Sequence, residues 1–435
     1  MADSWFVGMR ATDDLVTNER PESWRDGIIR LFPNGTASLT ALTKLMRSEK
    51  VSDTHFHWWD KTLTTQKAAV TAGQCYDDAT LNTAYGNDGV AGSNVYFKVA
   101  EAASKMFRPG HTILMRDAGD YTVDCVGKCI LVSQNGANSV IGVKLIEADD
   151  NGAANSHYLL NADTLLIIGN ANPMGGTRPT AITQQPTEDG NYTQIFRTPL
   201  DLARTLIETK LRTASAYQEA KRDALEQHSI EMEKGFIWGV QYVGVGSNGK
   251  PEYYTDGILA KIKANGTSED FSLDTAVAYA GKTWVEAGVD WIDEHLEEIF
   301  RHGSDQRLVF CGSGALLGIQ KLVRELGVYN LTPQTTSFGL KVTEWVTPFG
   351  SIMLKTHPLL SYEATNRNSM ILFEPANIIY RYVTDTQFQP DILYGKGGGT
   401  GKDGKEEEFL TECGLEYHQS LTGGYLNGVG LDNTQ

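Results

Sequence analysis

ASAYQEAKRDALEQHSIEMEKGFIWG, Ala214 to Gly239, contains no proline and reaches its first glycine only at Gly235. Tyr217, Ala220, Ala224, Leu225, His228, Met232 and Phe236 recur at three- and four-residue spacing, with Glu219, Lys221, Arg222, Glu226 and Glu233 between them. That period predicts one amphipathic helix of roughly 25 residues, about 37 Å long at 1.5 Å per residue, ending at Gly239. His228 falls on its apolar side, where a hydrogen-bonded core histidine is the expectation.

On either side of this helix the period changes. NYTQIFRTPLDL, Asn191 to Leu202, reads as strand. Further upstream, HTILM, YTVDCV, CILVS and SVIGVKLI lie between Phe107 and Asp150, separated by Pro-Gly, Ala-Gly-Asp and Asn-Gly-Ala-Asn turn signals, and continue to LLIIGN at Leu165 to Asn170. They predict a small antiparallel β module. HFHWWDKTLTTQKAAVTA, His55 to Ala72, opens with strand-forming residues, and a short helix from Ser38 to Arg47 is predicted with Ser38 as its cap.

Downstream, Leu273 to Ala287 and Ile292 to His302 read as helices, RLVFCG at Arg307 to Gly312 as a buried strand, and Gly314 to Leu326 as a helix capped by Ser313. GLKVTEWVTPFGSIMLKTH, Gly339 to His357, reads as a hairpin turning at Pro-Phe-Gly. MILFEPANIIYRYV predicts two short strands, and FLTECGLEYHQSL, from Phe409, the last one. No internal repeat is visible.

Composition narrows the function. The 435 residues carry a net charge of -16, and no Lys/Arg run offsets it, which disfavours sequence-specific nucleic acid binding. No secretory leader pattern opens the chain, and no apolar run approaches the roughly 20 residues needed to span a bilayer. Five cysteines, Cys75, Cys125, Cys129, Cys311 and Cys413, fit a reducing compartment better than a disulfide framework.

Two glycine-rich stretches resemble nucleotide loops and fail in detail. In GKGGGTGKDGK, Gly395 to Lys405, Lys396 stands where a phosphate-binding loop needs its first glycine, and Asp403 where it needs the Mg²⁺-binding hydroxyl. The chain also continues as strand, not helix. In CGSGALLG, Cys311 to Gly318, the glycine spacing is one residue too long for a dinucleotide loop, so a capped helix after a strand is expected. His55 and His57 share one strand face and Cys125 and Cys129 lie four apart, but neither pair has the matching second pair of a structural zinc site. No metal, cofactor or catalytic residue is therefore predicted, and the profile favours assembly over catalysis.

The order of parts is specific. An arm, an extended hairpin, a long helix, an α/β body and late long strands resemble the tailed-bacteriophage major capsid proteins of the Hong Kong 97-type fold. NYTQIFRTPLDLARTL followed by EKGFIWG resembles the return strand and spine helix of one capsid subfamily; DGILAKI at Asp256 to Ile262 resembles the segment after the spine. RLVFCGSGALLGIQKLV resembles its strand–helix unit, and GLKVTEWVTPFGSIMLKTHPLL, Gly339 to Leu360, is the closest match.

The resemblance implies an α+β chain. Residues 1–50 are its arm, 51–99 and 175–202 its extended loop, and 100–174 an inserted β-rich domain. Residues 203–269 form a peripheral domain with the spine helix, 270–345 an axial domain, and 346–435 late peripheral strands. It implies a non-enzymatic shell subunit of the virion, assembled in the host cytoplasm as hexamers and pentamers around double-stranded DNA. A separate scaffolding protein, a portal and a cement protein are its implied partners. A cellular nanocompartment shell of the same fold is the alternative. The candidate contacts between subunits are Arg197, Lys396, Lys402, Lys405, Glu406, Glu407 and Glu408.

Overall fold

The computed structural model describes residues 41–435 except 64, 71–73, 87–88, 118–123, 150–158, 210–214, 327–330, 338–339 and 391–403. The chain forms two compact units, one made of residues up to Asp60 and from Glu188 onward, the other of Lys61–Thr187.

The larger unit is organised around a mixed sheet of seven strands. Their order is Thr267–Asp270, Gly424–Asn427, Met370–Phe373, Gln306–Cys311, Gly350–Thr356, Leu340–Thr347, Leu331–Ser337. Successive side chains of a strand point to opposite faces, and this sheet uses both. Leu308, Phe310, Ile371 and Phe373 enter one core with Phe236 and Ile237 of the long helix. Val309, Cys311, Met370 and Leu372 enter a second core with Trp284, Trp291 and Leu296. RLVFCG reads as an unbroken apolar run because the strand is covered on both sides. In the second core, Phe271 meets Trp284 and Trp291 edge-to-face at 4.9 and 5.6 Å. Both indole N–H groups are satisfied, by the Gly318 carbonyl and the Asp274 carboxylate, each at 3.0 Å.

A second sheet of this unit has the order Arg47–Lys50, Ile378–Gln389, Gly404–Tyr417, Gln194–Ala203; the first pairing is parallel and the others antiparallel. Pro199, which has no N–H to give, sits on its edge strand. The long helix spans Ala216–Trp238 and buries Ala224, His228, Met232, Glu233, Phe236 and Ile237.

The smaller unit is a seven-stranded antiparallel sheet. Val95, Phe97, Ile113, Met115, Ile141, Val143 and Leu165 fill its core. The β module read from the turn signals forms its centre. Asp124–Val126 of YTVDCV and the CILVS run belong to one strand, Asp124–Ser133, whose register shifts at Cys129/Leu131; that bulge accommodates what the sequence suggested was a break, and residues 121–123 lie outside the described residues.

Other expectations are corrected. The predicted helices at 273–287 and 292–302 are one helix, Trp284–Phe300. It starts at a capping box, Thr283 with Glu286, after Gly281 takes φ +70° and ends the preceding turn. Arg47 begins a strand instead of ending the arm helix, whose described part is Ala41–Leu45. The second strand of MILFEPANIIYRYV is long, twelve residues to Gln389; the strand read from Phe409 begins at Gly404 and is not the last, since Gly424–Asn427 follows it. Rungs to Leu202, Asp201, Leu200 and Pro199 of the edge strand override the poor strand preference of Lys405–Glu408. On the long helix, Leu225 is 42% exposed while Glu233 is fully buried, the reverse of their reading from period alone.

Candidate assembly surface

The described contact candidates, Arg197 and Lys405 to Glu408, lie on two adjoining strands of the four-stranded sheet. Lys405, Glu406, Glu407 and Glu408 pair along the strand with Leu202, Asp201, Leu200 and Pro199. Arg197 lies two residues beyond and grips Glu408 with two hydrogen bonds, Nε to Oε2 at 2.9 Å and one of its terminal nitrogens to Oε1 at 2.7 Å. Glu408 raises the Arg197 pKa by that bond. Glu407 is buried, and Tyr217 from the first turn of the long helix hydrogen-bonds it; burial, then this bond, pushes the phenol up to about 12. The Lys405 ammonium sits 5.2 Å from the Tyr217 ring centre. Lys396 and Lys402 lie outside the described residues. The segment carrying them joins two antiparallel strands, Ile378–Gln389 and Gly404–Tyr417, which is hairpin topology and not the strand–helix topology of a phosphate loop.

A second constellation, unseen in the sequence, fixes the arm. Glu233 is fully buried on the long helix. Its carboxylate accepts the backbone N–H of Leu42 at 2.5 Å and of Thr43 at 2.9 Å, and Nε2–H of buried His357 at 3.0 Å. The other imidazole nitrogen of His357 accepts from Leu359 N–H at 3.3 Å, which leaves Nε2–H to face Glu233. A five-residue helix has too few internal bonds to persist alone. Glu233 satisfies two of its orphan N–H groups while Leu42 and Met46 enter the core. The only sequence signal was an acid next to the apolar stripe.

The arm strand is tied by charge. Arg381 bonds Glu49 at 2.5 Å and also Glu416. Glu416 accepts from His418 at 2.5 Å, and His418 bonds Asp60 at 2.8 Å. The Glu416 bond, opposed by burial and aided by Asp60, raises the His418 pKa to about 9. At neutral pH the ring is therefore a cation between two carboxylates, and Glu416, resisted by burial, is held below its ordinary range by His418 and Arg381. Two long-range networks thus hold Glu233, and Arg381 with Glu416.

Much apolar surface is left open. The ribbon Tyr242–Val245 with Pro251–Tyr254 pairs only with itself, and it exposes Tyr242, Val243, Tyr254 and, at 78%, Val245. In the smaller unit, residues 171–186 form no regular element and every one is exposed. Loops of that length without regular structure are usually either functional segments or linkers.

The remaining candidates resolve into packing. In CGSGALLG, a Cβ at Gly312 meets the Arg367 carbonyl at 2.1 Å and one at Gly318 meets the Gly430 Cα at 2.6 Å. These glycines permit close backbone approach, and no phosphate is needed to explain them. His228 is buried between the hydroxyls of Thr198 at 3.0 Å and Thr411 at 2.7 Å, as expected of a satisfied core histidine. All five cysteines are free and buried, and burial pushes Cys129 and Cys311 up to about 12, far from a reactive thiolate. Among the described residues, no group of three or more His, Cys, Asp or Glu is arranged for a metal, and no helix is long and apolar enough to cross a membrane.

Among the described residues, polar networks anchor an arm and apolar side chains stay open to solvent, an arrangement suited to a structural protein that packs against further copies. The family model of the SU10 major capsid protein matches residues 9–430. The major capsid protein of Pseudomonas phage PaMx41 is 25% identical over 384 residues, 88% of this chain and 83% of that one. A solved structure from Mycobacterium phage Bobi has a TM-score of 0.42 at 7% identity, covering 96% of this chain and 98% of its own. The SrpI encapsulin of Synechococcus elongatus PCC 7942 has a TM-score of 0.38 at 13% identity, covering 58% and 78%. The chain belongs to the SU10 major capsid protein family. It is a phage major capsid protein with the α+β, Hong Kong 97-type fold, and so a component of the virion, where many copies form the shell. The nanocompartment alternative is the less supported, since the family model and the curated relative are phage capsid proteins.

Proposed function

We propose that this chain assembles into hexamers and pentamers that close an icosahedral shell around double-stranded DNA, without catalysis of its own. The carrying observation is the contrast between an anchored arm and uncovered segments. Glu233 and Arg381 fix residues 42–49 to the body. The Tyr242–Tyr254 ribbon and residues 171–186 have no cover within their own units. Apolar area left in water by one copy stabilises contact with the next, at about 25 cal/mol per Å². Many modest contacts then add along a closed lattice.

In this reading the arm is residues 1–50, the extended loop 51–99 and 175–202, and the inserted domain 100–174, displayed on the particle. The peripheral domain is 203–269, the axial domain 270–345, and the late strands 346–435. Arg197, Lys396, Lys402, Lys405, Glu406, Glu407 and Glu408 contact neighbouring copies. The net charge of -16 suits a wall that encloses DNA without gripping its sequence. Assembly in the host cytoplasm with a separate scaffolding protein, then joining of portal and cement proteins, completes the proposal. Negative-stain microscopy of the purified chain with its scaffold tests it: hollow icosahedral particles are expected, and persistent monomers at high concentration refute it.

A further inference from the structure

We propose that His55 and His57 form a binding site for a divalent transition-metal ion of the zinc, nickel and copper group. The strand His55–Asp60 alternates, with Phe56 and Trp58 buried and His55, His57 and Trp59 on its outer face. His55 Nδ1 and His57 Nε2 lie 3.1 Å apart. Two nitrogens bonded to one ion at about 2.0–2.1 Å are about 2.9 Å apart at a right angle and about 3.3 Å apart at the tetrahedral angle. The observed spacing falls between these, so one ion can replace the proton the two rings now share.

Both rings are oriented by other residues. Glu188 lies 3.0 Å from His57 Nδ1 and accepts its proton, which leaves the Nε2 lone pair turned to His55. This is the carboxylate–histidine arrangement that fixes tautomer and basicity in metal sites. Tyr192 stacks on the His55 ring at 4.3 Å, and Tyr253 stacks on Tyr192 at 5.2 Å. Gly190 lies directly beneath His57: a Cβ there comes within 2.9 Å of His57 Nδ1, so the close seat of the ring requires glycine. The His57 and Glu188 side chains are 43% and 52% exposed, leaving the remaining coordination positions to water. Imidazole nitrogen selects zinc, nickel or copper over magnesium and calcium.

Calorimetric titration of the purified full-length chain with ZnCl₂, alongside electron paramagnetic resonance with CuCl₂, tests the site. One ion per chain is expected, with a copper signal split by two nitrogens, and no heat from MgCl₂. His55→Ala and His57→Ala should each abolish the two-nitrogen signal while circular dichroism stays unchanged. Glu188→Gln should weaken zinc by about 10–100-fold, the usual loss when a ligand's carboxylate partner is removed. Zinc binding that survives both histidine substitutions, or no binding to the unaltered chain, overturns the proposal.

Discussion

Glu233, towards the C-terminal end of the long helix, holds the backbone N–H of Leu42 at 2.5 Å across 191 residues of chain. The contact gives the arm a fixed seat, and it leaves a buried carboxylate dependent on that seat. Removing Glu233 strands two arm N–H groups and the His357 Nε2–H, each costing about 1–3 kcal/mol when left unpaired in a buried site. Glu233→Ala should therefore lower unfolding stability by more than about 2 kcal/mol and expose Arg47 to trypsin. Urea denaturation and a timed tryptic digest measure both; an arm as resistant as in the unaltered chain removes Glu233 as its anchor.

The His418 bridge sets an alkaline limit. Its folded pKa of about 9 lies above the ordinary 6.5, so its contribution is complete below pH 6.5 and fades as pH rises through 9. Melting temperature should decline between pH 7 and 9.5, and His418→Asn should remove part of that decline. Parallel curves for the two proteins would show that Glu416 and Asp60 do not depend on the cation.

Two positions on the long helix separate burial from period. Phe236 is fully buried against Phe196 and Tyr380, and Phe236→Ala should cost about 3–5 kcal/mol. Leu225→Ala, on the exposed side, should change stability by no more than about 0.5 kcal/mol. Chemical denaturation of the two variants in one buffer decides; equal losses would return Leu225 to the core.

Arg197 tests the proposed contact edge. Its bond to Glu408 is largely exposed, so Arg197→Ala should alter the isolated chain by less than about 1 kcal/mol. If the edge meets a neighbouring copy, the same variant should give fewer particles by microscopy and sedimentation. Normal particle yield would strike Arg197 from the contacts.

The open ribbon should behave in the same way. Val245→Ser, at a side chain 78% exposed, should leave the melting temperature of the unassembled chain within a degree or two, as expected of surface substitutions. It should reduce particle yield if the ribbon is covered in the shell; unchanged assembly would assign the ribbon another role.

Much of the fold was legible because local patterns agree with it. The long helix, the RLVFCG strand, the helix that follows it and the Pro-Phe-Gly hairpin each carry a strong local signal, although that helix begins at Ser313, the residue read as its cap. The capping box Thr283-x-x-Glu286 was equally visible, and it marks the true start of the helix that was divided in two. Glu233 was hidden because its partners, Leu42 and His357, are distant in sequence, and periodicity assigns an acid to water by default. The strand character of Lys405–Glu408 was hidden for a like reason: only the rungs to Leu202, Asp201, Leu200 and Pro199 make those charged residues extended.

The amino-acid order determined by itself the long helix, the buried RLVFCG strand and the Pro-Phe-Gly hairpin, and that the glycine-rich stretches lack the residues nucleotide chemistry requires. Those properties depend on neighbours within a few residues. The tertiary structure alone decided that one sheet divides two cores, that Glu233 seats the arm, and that His55 and His57 face each other under Glu188 and Tyr192. These depend on groups brought together from distant parts of the chain, and the free energy of a buried charge or a shared proton is set by that surrounding shell.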